Sequence, residues 1–192
     1  MHHKGGGGKV KNLIVAKRYA KALFNLALED GKLTEYGQEL QGLVQLLDQQ
    51  PALMDALANP LYPEDVKKSV FLTLAEKAEM SPVMRSFGTL LVEKGRIRHL
   101  PAISQYFQRL TDEHHNVARA KLSAAVKLDE AAIGKIAETL GRLTGKKIVI
   151  EFQQDPTLIG GAVARIGDLV IDGSVRTQLQ AIKESLKRGE LG

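Results

Sequence analysis

The chain has 192 residues, of which 44% are hydrophobic and 26% charged, with a formal net charge of +5 at pH 7. This balance is typical of a soluble protein of one or two domains, and no apolar run is long enough to span a membrane. The absence of cysteine excludes disulfides and thiolate chemistry, while the scattered basic residues leave nucleic acid as only a minor alternative partner.

The first residues, MHHKGGGGKVKN, predict a flexible arm over residues 1–12. Four successive glycines are flexible and do not pack. The segment has no apolar stretch of the kind that a secretory signal requires, so we expect no signal peptide. His2 and His3 lie on this arm, where two histidines do not make a metal site.

A helical pattern of apolar residues follows, from about Leu13 to Val117. Glycines predict the ends of the first and fifth helices at Gly31 and Gly95, and Ser81 with the next proline predicts the start of the fifth. The pattern predicts six helices, over about residues 13–30, 34–50, 51–60, 62–77, 81–95 and 100–117.

After about residue 118 the apolar residues alternate instead, which predicts a strand over residues 120–128. Asp129 caps a helix that ends at Gly145, KKIVIEF is a second strand, and two further strands precede a last helix. The fold class is therefore α+β. A six-helix bundle over residues 13–115 precedes a small α/β domain over residues 116–192 with the order β-α-β-β-β-α.

The stretch DPTLIGGAVARIGDLVIDGSV, residues 155–175, raises the question of a phosphate-binding loop. A P-loop needs Gly-Lys-Ser/Thr before a helix, whereas Gly160-Gly161 precedes a strand-like run. We interpret the pair as a bulge or a close backbone contact within a strand. Gly167-Asp168 is then a hairpin turn, and Asp172 or Ser174 caps the final helix.

Catalytic residues are not indicated anywhere along the chain. His99 lies at a helix junction, and the adjacent His114 and His115 point in different directions on a helix. No nucleophile, base and orienting group occur in a recognisable pattern. We expect a protein that is not an enzyme and needs no cofactor or metal.

Three segments, in the same order, carry a resemblance to a known family. The stretch that begins at Asp155, AKRYAKALFNLA at residues 16–27 and EKGRIRHLPAI at residues 93–103 closely resemble the delta subunit of bacterial F-type ATP synthases. The mitochondrial relative is the oligomycin-sensitivity-conferring protein. The resemblance begins at about Val15 and covers nearly all of the chain.

The resemblance implies a non-catalytic stator subunit, present once per complex and without a cofactor. Such a subunit joins the N-terminal helices of the alpha subunits to the C-terminal ends of the b subunits and resists the torque of the rotor. It implies a peripheral position at the cytoplasmic face of the bacterial plasma membrane, with neither nucleic-acid binding nor membrane insertion. The alternative is a basic nucleic-acid-binding or adaptor protein.

The first helix supports this interpretation, because its apolar residues fill an arc of roughly 200°, wider than the roughly 100° that one core face requires. Such a helix is either deeply buried or shared between a core and a partner. We predict that the first and fifth helices together form a groove that binds a helix of an alpha subunit. The candidate residues are Ala16, Tyr19, Ala20, Leu23, Ala27, Met84, Phe87, Gly88 and Leu91.

The b subunits are expected to contact the hairpin and the final helix of the second domain. This assignment follows from charge alone, and a solvated surface is the alternative. The candidate residues are Arg165, Asp168, Asp172, Arg176, Lys183 and Lys187.

Overall fold

The computed structural model describes residues 6–189. Within them the chain divides into two compact units, with the boundary between Thr111 and Asp112. We call them the helical unit and the sheet unit. Asp112 and Arg119 both belong to the sheet unit, where the Asp112 carboxylate accepts a 2.6 Å hydrogen bond from Arg119 Nε. Within residues 6–189, no helix combines the length and the hydrophobicity of a membrane span.

Among the described residues, the helical unit contains six α-helices and one short 3₁₀ turn over Ile97–His99. Their order matches the predicted one, and the stops predicted at Gly31 and Gly95 lie two residues beyond the observed helix ends. The helices are α1 (Gly6–Glu29), α2 (Leu33–Gln49), α3 (Pro51–Ala58), α4 (Glu64–Lys77), α5 (Pro82–Glu93) and α6 (Leu100–His114).

The prediction of a flexible arm over residues 1–12 is wrong for residues 6–12, because α1 begins at Gly6. Each glycine in a helix costs about 1 kcal/mol relative to alanine. Extending an existing helix nevertheless adds one hydrogen bond per residue without a new nucleation step. Residues 1–5, with His2 and His3, lie outside the described residues.

In the part of the sheet unit that the structure describes, four strands form a sheet in the order β2-β1-β3-β4. Strand β1 is parallel to β2 and antiparallel to β3, and β3 is antiparallel to β4. Ala120, Leu122 and Ala164 of the sheet pack with Leu140 of the intervening helix. The elements are β1 (Val117–Ala124), α7 (Glu130–Thr144), β2 (Lys147–Gln154), β3 (Ala162–Ile166), β4 (Leu169–Asp172) and α8 (Val175–Gly189).

The first strand ends earlier than its alternating pattern predicts. Ala124 is its last paired residue, matched by Gln154 of β2 and Ala162 of β3, and Val126 beyond it is 64% exposed. Alternation continues in the sequence past the point where neighbouring strands are available. Pairing partners, and not the apolar pattern, therefore set the end of the strand.

A close crossing of α4 and α5 fixes the centre of the helical unit. The Phe71 ring is fully buried and lies against Gly88, where an added Cβ would stand 2.0 Å from Phe71 Cζ. Glu39 of α2 strengthens the start of α5, since its carboxylate accepts hydrogen bonds from the Ser81 N–H at 3.0 Å and the Ser81 hydroxyl at 2.9 Å. Ser81 is the N-cap of α5, as predicted.

Replacing Gly88 by alanine should destabilise the protein by about 1–3 kcal/mol, because the new methyl group overlaps a ring that has no space to move. Gly42→Ala is the matched control, since Gly42 also lies in a helix but an added Cβ there meets nothing within 4 Å. This control should stabilise by about 0.5–1 kcal/mol. Urea unfolding followed by circular dichroism measures both. Equal stability of the two variants would contradict the packing described for Phe71.

Candidate partner-binding surfaces

One part of the wide apolar arc of α1 is buried in the core, and another part lies at the surface. Ala16, Ala20 and Ala27 are fully buried, and Leu23 is 2% exposed. On one flank of this buried row, the Tyr19 ring meets Phe87 of α5 edge to face, with centroids 6.3 Å apart. The predicted pairing of the first and fifth helices is therefore present at the Tyr19–Phe87 contact.

Most of the residues predicted to line a groove belong instead to the core of the helical unit. The small alanines of α1 let the other helices of the unit approach, and Gly88 provides space for Phe71. Of the nine predicted residues, only Tyr19 and Phe87 are partly exposed. The seven buried residues are Ala16, Ala20, Leu23, Ala27, Met84, Gly88 and Leu91.

An exposed apolar surface does lie beside the Tyr19–Phe87 contact. Leu26 is 37% exposed and Leu90 is 39% exposed, and both stand on the same helix face as one of the two rings. We define the α1–α5 strip as Val15, Tyr19, Ala22 and Leu26 of α1 with Val83, Phe87 and Leu90 of α5. At 100° per residue, the four α1 members fall in an arc of about 60°, so they share one face of the helix.

Positive charge borders the α1–α5 strip on both helices. Arg18 precedes Ala22 by one helical turn on α1, and Lys94, the C-cap residue of α5, follows Leu90 by four residues. Both side chains are exposed. An apolar segment with acidic flanks would match this surface in shape and in charge.

In the sheet unit, the glycine-rich stretch holds the start of α8 against the sheet. Gly161 has a φ of +81°, and an added Cβ would stand 2.3 Å from the Gly173 carbonyl oxygen. The N–H of Gly173 donates to the Ala162 carbonyl at 2.9 Å, and the N–H of Val175 donates to the Gly160 carbonyl at 3.1 Å. These backbone hydrogen bonds confirm a close backbone contact at the glycine pair, although the pair precedes β3 instead of interrupting it.

Both predicted caps act together at the start of α8. The Ser174 hydroxyl accepts a 3.4 Å hydrogen bond from the Thr177 N–H. The Asp172 carboxylate accepts from the Ser174 N–H at 2.9 Å and from the Thr177 hydroxyl at 2.8 Å. The backbone bond from Ser174, followed by the Ser174 and Thr177 hydroxyls, lowers the pKa of Asp172. Asp172 is therefore engaged in holding the helix.

The other charged residues predicted to bind a partner lie on β3, in the turn between β3 and β4, and on α8. Arg165 lies on β3 directly opposite Lys121 of β1, and Asp168 is exposed in the turn between β3 and β4. Arg176 and Lys183 are exposed on α8. Lys187 is in α8, but its side chain is outside the part of the chain that the structure describes.

Apolar residues on α8 add a feature that charge alone did not predict. Val175 is 37% exposed and Leu179 is 58% exposed, one turn apart on the same face of the helix. An exposed apolar face of this kind is typical of a helix that packs against a partner.

Among the described residues, no cluster of three or more histidine, aspartate or glutamate side chains is placed to hold a metal ion.

Comparisons with known proteins relate nearly the whole chain to one family. Residues 15–186 match the family described as the ATP synthase delta (OSCP) subunit. The chain is similar to the ATP synthase subunit delta of Syntrophobacter fumaroxidans, with 56% identity over 95% of this chain and 100% of the relative. For that of Desulfosudis oleivorans the values are 44%, 94% and 99%.

A solved structure shares the fold. A chain of the Toxoplasma gondii mitochondrial ATP synthase hexamer aligns with a TM-score of 0.65 and 20% sequence identity. The alignment covers 89% of this chain and 96% of that chain.

Acid should weaken the start of α8 through Asp172. Because folding lowers the pKa of this group below its usual 3.8, its stabilisation is present above that value and is lost as pH falls through the folded pKa. The melting-temperature difference between the natural chain and Asp172→Asn should shrink between about pH 6 and about pH 3. Asp168→Asn, in the exposed turn, serves as the control. A difference independent of pH would contradict the role of the carboxylate.

Proposed function

The chain belongs to the ATP synthase delta (OSCP) subunit family, and we propose that it joins the alpha subunits to the b subunits through one surface on each unit. As a member of this family it is a non-catalytic stator subunit of an F-type ATP synthase. The observation that carries the proposed alpha contact is the exposed α1–α5 strip. In this assignment the helical unit binds the catalytic head and the sheet unit binds the peripheral stalk.

The α1–α5 strip fits an amphipathic helix. Two packed helices that expose an apolar seam provide a groove for a third helix with apolar residues at three- and four-residue spacing. Arg18 and Lys94 would favour acidic residues along the margins of that helix. The N-terminal helix of an alpha subunit is the proposed occupant, as the resemblance implies.

On the sheet unit, the proposed contact combines α8 and the hairpin. Val175 and Leu179 supply exposed apolar area, and Arg176 and Lys183 supply charge beside it. Asp172 is not part of the proposed contact, because its carboxylate accepts hydrogen bonds from Ser174 and Thr177. The C-terminal ends of the b subunits are the proposed partner.

Two separate surfaces suit a subunit that must hold under torque. When one contact opens, the other keeps the partners close, so that rebinding is faster than escape. One copy per complex satisfies this arrangement.

We place the protein at the cytoplasmic face of the bacterial plasma membrane, as a peripheral subunit held by its partners. The nucleic-acid alternative is disfavoured among the described residues, because the Tyr36, Phe71 and Phe107 rings are buried in the helical unit and do not reach a base.

Titration calorimetry of the full chain with a synthetic alpha N-terminal peptide tests the alpha contact. We expect one-to-one binding with a negative heat-capacity change, because apolar area is buried. Leu26→Glu and Leu90→Glu should each weaken binding by about tenfold or more, since fully burying a leucine contributes about 1.5–3 kcal/mol.

Leu28→Glu is the matched control. Leu28 is 39% exposed, the same fraction as Leu90, but it lies on the opposite flank of α1. Its affinity for the peptide should remain within about twofold of the natural chain, a difference below about 0.5 kcal/mol. Circular dichroism verifies that all three variants are folded. Equal losses for Leu28→Glu and Leu90→Glu would mean that the α1–α5 strip is not the contact surface.

A further inference from the structure

Two cations face each other across the outer face of the sheet, the face opposite the one that packs with α7. Lys121 of β1 and Arg165 of β3 are directly opposite in the antiparallel register, and both side chains are exposed. Neither forms an ion pair with any residue in the part of the chain that the structure describes. Like charges in this position destabilise a sheet.

The nearby carboxylates are engaged elsewhere. Glu151 of β2 is the neighbour of Lys121 in the parallel register, but its carboxylate lies 3.7 Å from Arg119 Nη1. Arg119 is also held by Asp112 at 2.6 Å. Lys121 and Arg165 therefore remain without an ion-pair partner among the described residues of this face.

The surroundings of the two cations suit a peptide. They line an open depression of about 520 Å³ together with Ser123, Glu151, Gln153 and Val163. Val170 of β4, which pairs with Arg165, is 48% exposed beside it. A small anion would neutralise the charges but leave the valines in water, whereas a peptide segment covers both.

We propose that this outer face binds an acidic segment of a peripheral-stalk subunit, with Lys121 and Arg165 holding its carboxylates. The inference rests on the proposed function, because it takes the stalk as the partner of the sheet unit. Arginine binds a carboxylate through two parallel hydrogen bonds, while lysine acts as a point charge beside it. The unfavourable pairing in the free protein is thereby relieved on binding.

This arrangement predicts opposite effects on stability and on binding. Arg165→Glu places opposite charges across the strand pair, so the unbound chain should keep or raise its melting temperature. The same change should weaken binding of a purified soluble fragment, taken from the C-terminal region of a b subunit, by about tenfold or more. Lys121→Glu should weaken binding similarly, and the losses should shrink at high salt.

The experiment uses the full chain, calorimetry at low and high salt, and thermal unfolding. Lys135→Glu is the matched control, because Lys135 is exposed on α7 and the charge change is the same. Its affinity should stay within about twofold of the natural chain. A Glu→Lys or Asp→Lys change in the b fragment that restores binding to Arg165→Glu would identify the paired carboxylate.

The outcomes separate the inference from the proposed function. If the natural chain does not bind the b fragment, the stalk contact and this inference both fail. If the natural chain binds and both charge reversals bind equally well, the stalk contact stands and the inference is wrong. If inorganic phosphate binds to the Lys121–Arg165 pair while the reversals leave the affinity for the b fragment unchanged, the face is an anion site and the inference is again wrong.

Discussion

The first helix is too apolar to be satisfied by one core face, and this constraint organises the helical unit. Its alanine row is fully buried against the other helices. Tyr19 and Leu26 lie on a flank of α1 that is apolar and remains partly exposed. The contact of Tyr19 with Phe87 extends that flank onto α5. Because the core already uses the small residues of α1, the surface offered to a partner consists of the larger side chains beside them.

A different constraint organises the sheet unit, where the backbone positions a helix. Gly161 allows the strand to pass beside Gly173, and Asp172 with Ser174 fixes the first turn of α8. The glycine-rich stretch therefore acts on a partner only through the helix that it orients. The charged residues of this unit have different roles. Asp172 is held within the fold, while Arg165 remains available on the sheet.

Much of this organisation could be predicted from the sequence, because helix stops, caps and period changes are local signals. The order of elements and the Ser81 and Ser174 caps follow from such signals. The end of β1 did not, since it depends on where β2 and β3 provide partners. For the same reason the pattern could not separate buried Ala20 from exposed Leu26 on α1, because burial depends on which helices pack nearby.

In the proposed role, one chain holds two partners at once through independent surfaces. Sedimentation velocity of the full chain with both an alpha N-terminal peptide and a b-subunit fragment tests it directly. We expect a ternary complex, in which saturation with the alpha peptide leaves the affinity for the b fragment unchanged. Displacement of one partner by the other would contradict it, because the two would then share one surface.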